Sequence, residues 1–228
     1  MNRLQETFQN NKFSLLVSIT RNDVELARIA QEAGAHAVKC HLNVAHFASG
    51  TNFGSWAQEK ESILKIRRAL DIPLGIVTGA DEMPSADDIA EIRQVGFDFW
   101  DLFAHHTPPE YFDWKEMGHM VAVNYTWTPE FVKNLVPQGV DVIESSIIPQ
   151  TNYRSRLTAA DISQYAQLAK AAQVPIIIPT QKAVKPEEVK YLYQAGAKGI
   201  AIGAVVTDLG TAKLRDTVSA FRQAIDAL

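Results

Sequence analysis

The chain has 228 residues, 46% of them hydrophobic and 21% charged, enough apolar material for a buried core and too much for global disorder. With 22 basic and 26 acidic side chains the net charge is −4, and without a basic run the chain lacks the electrostatic footprint of a nucleic-acid-binding module. A lone cysteine, Cys40, excludes an internal disulfide framework, and no apolar run approaches the ~18 residues of a membrane span.

Residues 1–12 are polar and hold no apolar stretch of the signal-peptide kind, so a cytoplasmic protein is expected. The first predicted strand covers 13–20. A helix follows, with Val24, Ala27, Ile29, Ala30 and Ala33 at helical spacing and Asn22 as its expected cap. Gly34 ends it and leads into a strand over 35–43. This strand alternates, with Lys39, His41 and Asn43 on one face and Val38, Cys40 and Leu42 on the other. Burying an unpaired lysine is costly. A polar face of this kind marks either a functional interior or a buried ion pair, with Glu144 or Asp101 as the counter-ion. The loop from Val44 to Trp56 has 13 residues, two glycines and three aromatics. Its length and composition fit a lid over a ligand, with an oligomer contact as the alternative.

Asp71-Ile72-Pro73 opens a strand over 73–79, whose end offers only the Thr78 hydroxyl. Ser85 caps the next helix and Gly96 ends it. The strand over 97–105 places Asp101 and His105 in phase with Phe99 and Phe103. Gly118 precedes a strand over 119–126, which supplies Asn124. Thr128 caps a helix ending at Gly139, and the strand over 140–148 carries Glu144 and Ser146 in phase with Val142. Arg154 and Arg156 follow in a loop suited to an anion. Thr158 caps a helix bearing Ile162, Tyr165, Leu168 and Ala169. Gln173-Val174-Pro175 opens a strand over 174–180 that runs on into Gln181 and Lys182. Gly196 precedes the last strand, 197–204, ending at Gly203-Ala204.

Eight strands and the helices between them, over 228 residues, average about 28 residues per unit, the small end of a (β/α)8 barrel. A doubly wound open sheet is the competitor, but the first turn, Ile19-Thr20-Arg21-Asn22, lacks the glycines of such folds. We therefore expect a single α/β domain, a (β/α)8 TIM barrel. Its chemistry belongs at the C-terminal ends of the strands. A glutamate and a lysine inside one barrel shift each other's pKa. Lys39, His41, Asp101 and Glu144 are thus the catalytic candidates. The strand 7–8 ends suit a phosphate, because Gly203 lets backbone N–H groups approach an anion. Asn43, His105, Asn124, Ser146, Thr180, Gln181, Lys182, Gly203 and Ala204 are the substrate-binding candidates. His41, His105 and Asp101 form a conceivable metal set, but no metal is expected because no H-x-x-x-H or cysteine cluster supports it.

The run AGAKGIAIGAVVTD, Ala195–Asp208, resembles the last strand of ribulose-phosphate-binding barrels. GAHAVKCHLNV, MVAVNYT and GVDVIESS resemble the second, fifth and sixth strands of N-acetylmannosamine-6-phosphate 2-epimerases. Where that family has a catalytic lysine on strand 3, this chain has Thr78; Lys39 replaces a substrate-binding arginine, and 44–56 is an insertion. The resemblance implies an isomerase, epimerase or lyase acting on a small phosphorylated metabolite, with a sugar phosphate as the expected substrate. No cofactor is expected under that reading. An FMN-binding barrel and a non-catalytic phosphate binder are the alternatives. Lys39 would polarise a carbonyl or form a Schiff base. A homodimer is a further expectation, with Trp114 and Trp127 as interface candidates.

Overall fold

The computed structural model describes residues 1–228. Eight parallel strands close into a barrel: β1 (Ser14–Ser18), β2 (Ala37–His41), β5 (Leu74–Val77), β6 (Phe99–Phe103), β7 (Gly118–Val123), β8 (Val142–Ser145), β9 (Ile176–Pro179) and β10 (Gly199–Ile202). The other two strands, β3 (Val44–His46) and β4 (Thr51–Phe53), form an antiparallel hairpin directly after β2. Around the barrel run α2 (Val24–Glu32), α3 (Trp56–Ala69), α4 (Ala86–Gln94), α5 (Pro129–Leu135), α6 (Ala159–Ala172), α7 (Val189–Gln194), α8 (Ala204–Thr207) and α9 (Thr211–Asp226). This is the expected (β/α)8 barrel. No helix is long and apolar enough to cross a membrane.

Strand register and alternation stack the inward side chains in layers from alternate strands. Ala37, Phe99 and Val142 lie lowest, with Gly199 at the fourth position. Leu16, Met120 and Ile177 come next, with Gly75 completing the set. A Cβ on Gly75 would stand 2.2 Å from the Phe99 ring, so only glycine admits that ring. Above them sit Lys39, Asp101, Glu144 and Ala201. Two further tiers, Ser18-Val77-Ala122-Pro179 and His41-Phe103-Ser146-Gly203, line an open cavity. Apolar packing thus fills the lower half of the barrel, and polar groups occupy the upper half.

The lower end is closed by α1 (Arg3–Asn10), which the polar character of residues 1–12 concealed. Asn2 and Gln5 form its capping box, and both side chains bond Asp141. Leu4 and Phe8, one helical turn apart, join the inner core beside Phe99, Met120 and Ile177. The chain makes room for them, since a Cβ on Gly118 would meet Leu4 at 2.6 Å and one on Gly199 would meet Phe8 at 3.2 Å.

Several local expectations are corrected. Gly34, Gly96, Gly139 and Gly196 take positive φ ahead of their strands, but Gly118 does not. The segment before it holds only a 3-10 turn, Pro109–Asp113, because Pro108 and Pro109 fix the chain there. The cap of α2 is Asp23, whose carboxylate accepts from Glu25 and Leu26; Asn22 instead clasps the backbone N–H and carbonyl of His41. Residues 44–56 are not an irregular loop, since they contain the β3–β4 hairpin and the start of α3. Trp114 is buried and stacks on Tyr111 at 3.8 Å, and Trp127 packs against the core, so neither presents a bare interface.

Candidate functional site

The strand ends open into a cavity of about 830 Å³, within the range of small-molecule sites. At its floor Lys39 from β2 reaches across to β6 and β8. Its ammonium bonds Asp101 Oδ2 and donates to Glu144 Oε2 at 2.6 Å. All three side chains come from alternate strands of one layer, which is why residues so far apart in sequence meet. Glu144 Oε1 accepts from Ser146 Oγ at 2.8 Å, whereas Asp101 Oδ1 is buried with no partner.

The electrostatics divide the two carboxyls. Burial alone would depress the Lys39 ammonium, but Asp101 and Glu144 outweigh it and hold the lysine above its ordinary pKa. Burial, then the neighbouring Glu144 charge, pushes Asp101 well above the usual carboxylate range. Burial also works against ionised Glu144, yet Lys39 and the hydrogen bonds around it bring its carboxyl down to about 2. The two carboxyls are thus pushed apart around one ammonium, Asp101 toward its acid form and Glu144 toward its carboxylate, which eases the burial of the three charges.

His41 sits one tier higher on β2. Its Nε2 lies 3.3 Å from Ser18 Oγ, its Nδ1 has no partner, and its ring stacks on Phe53 at 4.7 Å. Burial, followed by the His46 and Lys39 charges, keeps His41 neutral. His46 on the hairpin is lowered to about 4, again by burial and then by Lys39. Asn22 holds the His41 backbone where the chain leaves β2, and the hairpin residues Val44–Ala48 line the cavity beyond it. Phe47 at the hairpin tip meets the Tyr153 ring edge-on at 5.4 Å, and Arg154 donates to the Ala48 carbonyl at 2.7 Å.

Of the thirteen residues expected from sequence, Lys39, His41, Asp101, Glu144, His105, Asn124, Ser146, Thr180, Gln181, Gly203 and Ala204 line this one cavity. Two do not. Asn43 takes a left-handed backbone, φ 50°, and its amide donates to the Thr78 carbonyl instead. Lys182 is buried outside the cavity, 2.9 Å from Ser155 Oγ and 3.3 Å from Asp161. Gln181 lines the cavity, yet both ends of its amide are engaged: Oε1 accepts from the Ile148 N–H and Nε2 donates to Tyr153 Oη. Thr78, just past the end of β5, is buried with its hydroxyl 3.1 Å from Tyr111 Oη. His41, His105 and Asp101 do not assemble into a metal-binding group. Sequence reasoning missed Ser18, His46, Phe47 and Tyr153. Ser18 was detectable as the third member of the alternating series Ser14, Leu16, Ser18; the others depend on the hairpin fold.

No protein-family model matches the chain, and no curated protein matches it. Solved structures do. Thiamine phosphate pyrophosphorylase from Pyrococcus furiosus superposes with a TM-score of 0.67 at 16% identity, covering 96% of this chain and 98% of that one. Phosphoribosyl anthranilate isomerase from Thermus thermophilus gives 0.66 at 13%, covering 93% and 98%. Mycobacterium tuberculosis tryptophan synthase gives 0.71 at 14%, covering 98% of each chain. These likenesses establish the fold, a closed eight-stranded (β/α)8 barrel.

Proposed function

We propose that this barrel is an enzyme that moves a proton on a small phosphorylated metabolite, as an isomerase, epimerase or lyase. The observation that carries the reading is Lys39 held between Asp101 and Glu144 on the floor of the open cavity. A lysine kept charged is a poor nucleophile, so the geometry favours carbonyl polarisation over a Schiff base. Its ammonium stabilises the negative charge that develops on a carbonyl oxygen when a neighbouring proton leaves. His41, neutral in the cavity wall with its Nδ1 unpartnered, takes the proton that leaves, and Asp101, pushed toward its acid form by burial and by Glu144, delivers one; exchange with solvent resets both. Glu144 is the fixed counter-charge that sets the states of Lys39 and Asp101.

The phosphate reading draws on Gly203. Its backbone is extended, and a Cβ there would make only ordinary contacts with Ser18, so neither conformation nor packing demands glycine. A ligand that approaches the backbone closely does. Ser18, Thr180 and Ala204 surround the same space. The names of the superposed proteins include a thiamine phosphate enzyme and a phosphoribosyl enzyme, which is in keeping with such a ligand.

A thermal-shift screen with sugar phosphates, other phosphate esters, inorganic phosphate and FMN tests the reading. A ligand at 100 times its Kd adds about 2.7 kcal/mol, which raises Tm by roughly 5–10 °C for a chain of this size. The best ligand then serves as candidate substrate for Asp101→Asn and Lys39→Ala. Retained binding with lost turnover supports the assignment. A shift by FMN alone transfers the site to a flavin, binding without turnover leaves a binding protein, and no shift by any phosphate ester overturns the reading.

A further inference from the structure

The mouth of the cavity carries an aromatic wall that proton transfer on a sugar phosphate does not require. Phe47 is 57% exposed and Tyr125 62% exposed, and both line the cavity. Tyr153 and Phe103 line it with them. Exposed aromatics are ordinary when scattered, but these converge on one opening.

The wall is also held in place. Tyr153 Oη accepts from Gln181 Nε2 at 2.7 Å, and the Gln181 carbonyl oxygen is fixed in turn by the Ile148 N–H at 3.0 Å. Gln181 is buried, so a whole buried amide is committed to one tyrosine ring. Phe47 stands edge-on to that ring at 80°. Its hairpin is tied across the mouth by Arg154, which adopts a left-handed backbone, φ 62°, while bonding the Ala48 carbonyl. Rings fixed before any ligand arrives bind a flat partner without the ordering cost of loose side chains.

We propose that Phe47, Tyr125 and Tyr153 form a ring-binding subsite, and that the ligand is a phosphate ester carrying an aromatic or heteroaromatic ring. The inference rests on the reading above for the phosphate and reacting ends of the same ligand. The ring stacks at the mouth, the reacting carbon lies over Lys39 and Asp101, and the phosphate lies toward Gly203. Tyr153 and Phe47 supply the stacking faces; Gln181 is a positioning residue that acts through Tyr153.

Isothermal titration with phenyl phosphate, ribose 5-phosphate, inorganic phosphate and phenol tests this. Phenyl phosphate is expected to bind at least tenfold more tightly than ribose 5-phosphate. The variant Phe47→Ala/Tyr125→Ala, altered only at exposed side chains, is expected to erase that preference while changing the ribose 5-phosphate Kd less than twofold. Phe131→Ala, an exposed ring outside the cavity, leaves both unchanged. Equal affinity for the two esters, a preference that survives the double variant, or no binding of either aromatic probe overturns the subsite. So does a dimer in solution that the double variant converts to monomer, because a second copy would then cover the wall. Phenol binding as tightly as phenyl phosphate, without competition from inorganic phosphate, keeps the ring subsite and removes the phosphate reading.

Discussion

Lys39 Nζ lies 2.6 Å from Glu144 Oε2 inside the barrel, and the same ammonium bonds Asp101 from a third strand. Removing the cation would leave two buried carboxyls facing each other. Lys39→Met is therefore expected to cost about 3–5 kcal/mol, the usual loss when one partner of a buried pair is removed. That lowers Tm by roughly 6–20 °C for a domain of this size. Lys39→Met/Glu144→Gln recovers part of the loss, because the orphaned charge goes with it. Thermal melts of the two variants check this; a full-strength Lys39→Met protein would show that the cluster is not coupled as described.

The acid limb of stability has two windows. His46 titrates near 4 in the folded state against an ordinary 6.5, through burial and then the Lys39 charge. Its neutral form is favoured by folding, so its contribution is complete above about 6.5 and is lost as pH falls through 4. A shift of that size is worth up to about 3 kcal/mol. Glu144, lowered to about 2 from 4.5, contributes above about 4.5 and loses that contribution as pH falls toward 2. Asp101, pushed upward, runs the other way: its contribution is present at low pH and fades as pH rises through its folded value. Urea melts between pH 7 and 3 are expected to show His46→Phe flattening the 6.5–4 limb alone. A variant whose limb parallels the native one would refute the burial argument for His46.

Much of the site was legible because alternation is reliable inside a strand. Lys39, Asp101 and Glu144 each stand in phase with an apolar inward neighbour, Ala37, Phe99 and Val142. The reading fails where strands end. Gln181 N–H donates to the Pro179 carbonyl at 2.8 Å, a tight turn that sends Lys182 outward to Asp161. Asn43 leaves the β region altogether. Only the helical spacing of Leu4 and Phe8 betrays α1 within an otherwise polar segment, and a plug is visible only once the barrel has a bottom. Asn22 and Asp23 are both good caps, and sequence alone does not decide between neighbours.

The barrel floor predicts a coupling between two positions 114 residues apart, Leu4 and Gly118. Gly118→Ala places a methyl 2.6 Å from Leu4 Cβ, and overpacking of this kind costs about 1–3 kcal/mol. Leu4→Ala leaves a cavity and costs about 2–5 kcal/mol. In the double variant the contact with the residue-4 Cβ remains but the one with Leu4 Cδ2 at 2.9 Å is gone, so the combined loss is expected to be smaller than the sum by about 0.5 kcal/mol or more. Denaturant melts of the three variants give the coupling energy. Strict additivity would mean that α1 does not press on β7.

The hairpin is fastened across the mouth at few points, so its local stability should respond to one side chain. Arg154 donates to the Ala48 carbonyl, while Thr51 Oγ1 holds the other strand to the Thr20 carbonyl at 2.8 Å. Inside the hairpin, Phe53 rests on His41 and remains buried whatever happens at the tip. Arg154→Ala removes the cross-mouth bond and leaves the barrel strands untouched. Local opening is governed by such contacts rather than by global stability. Amide exchange in residues 44–53 is therefore expected to accelerate about tenfold or more in Arg154→Ala, the cost of one charge-assisted hydrogen bond, with β1 and β10 unchanged. Unchanged exchange at the hairpin would show that Phe53 and Thr51 alone hold it closed, and that access to Lys39 and Asp101 does not pass through the Arg154 latch.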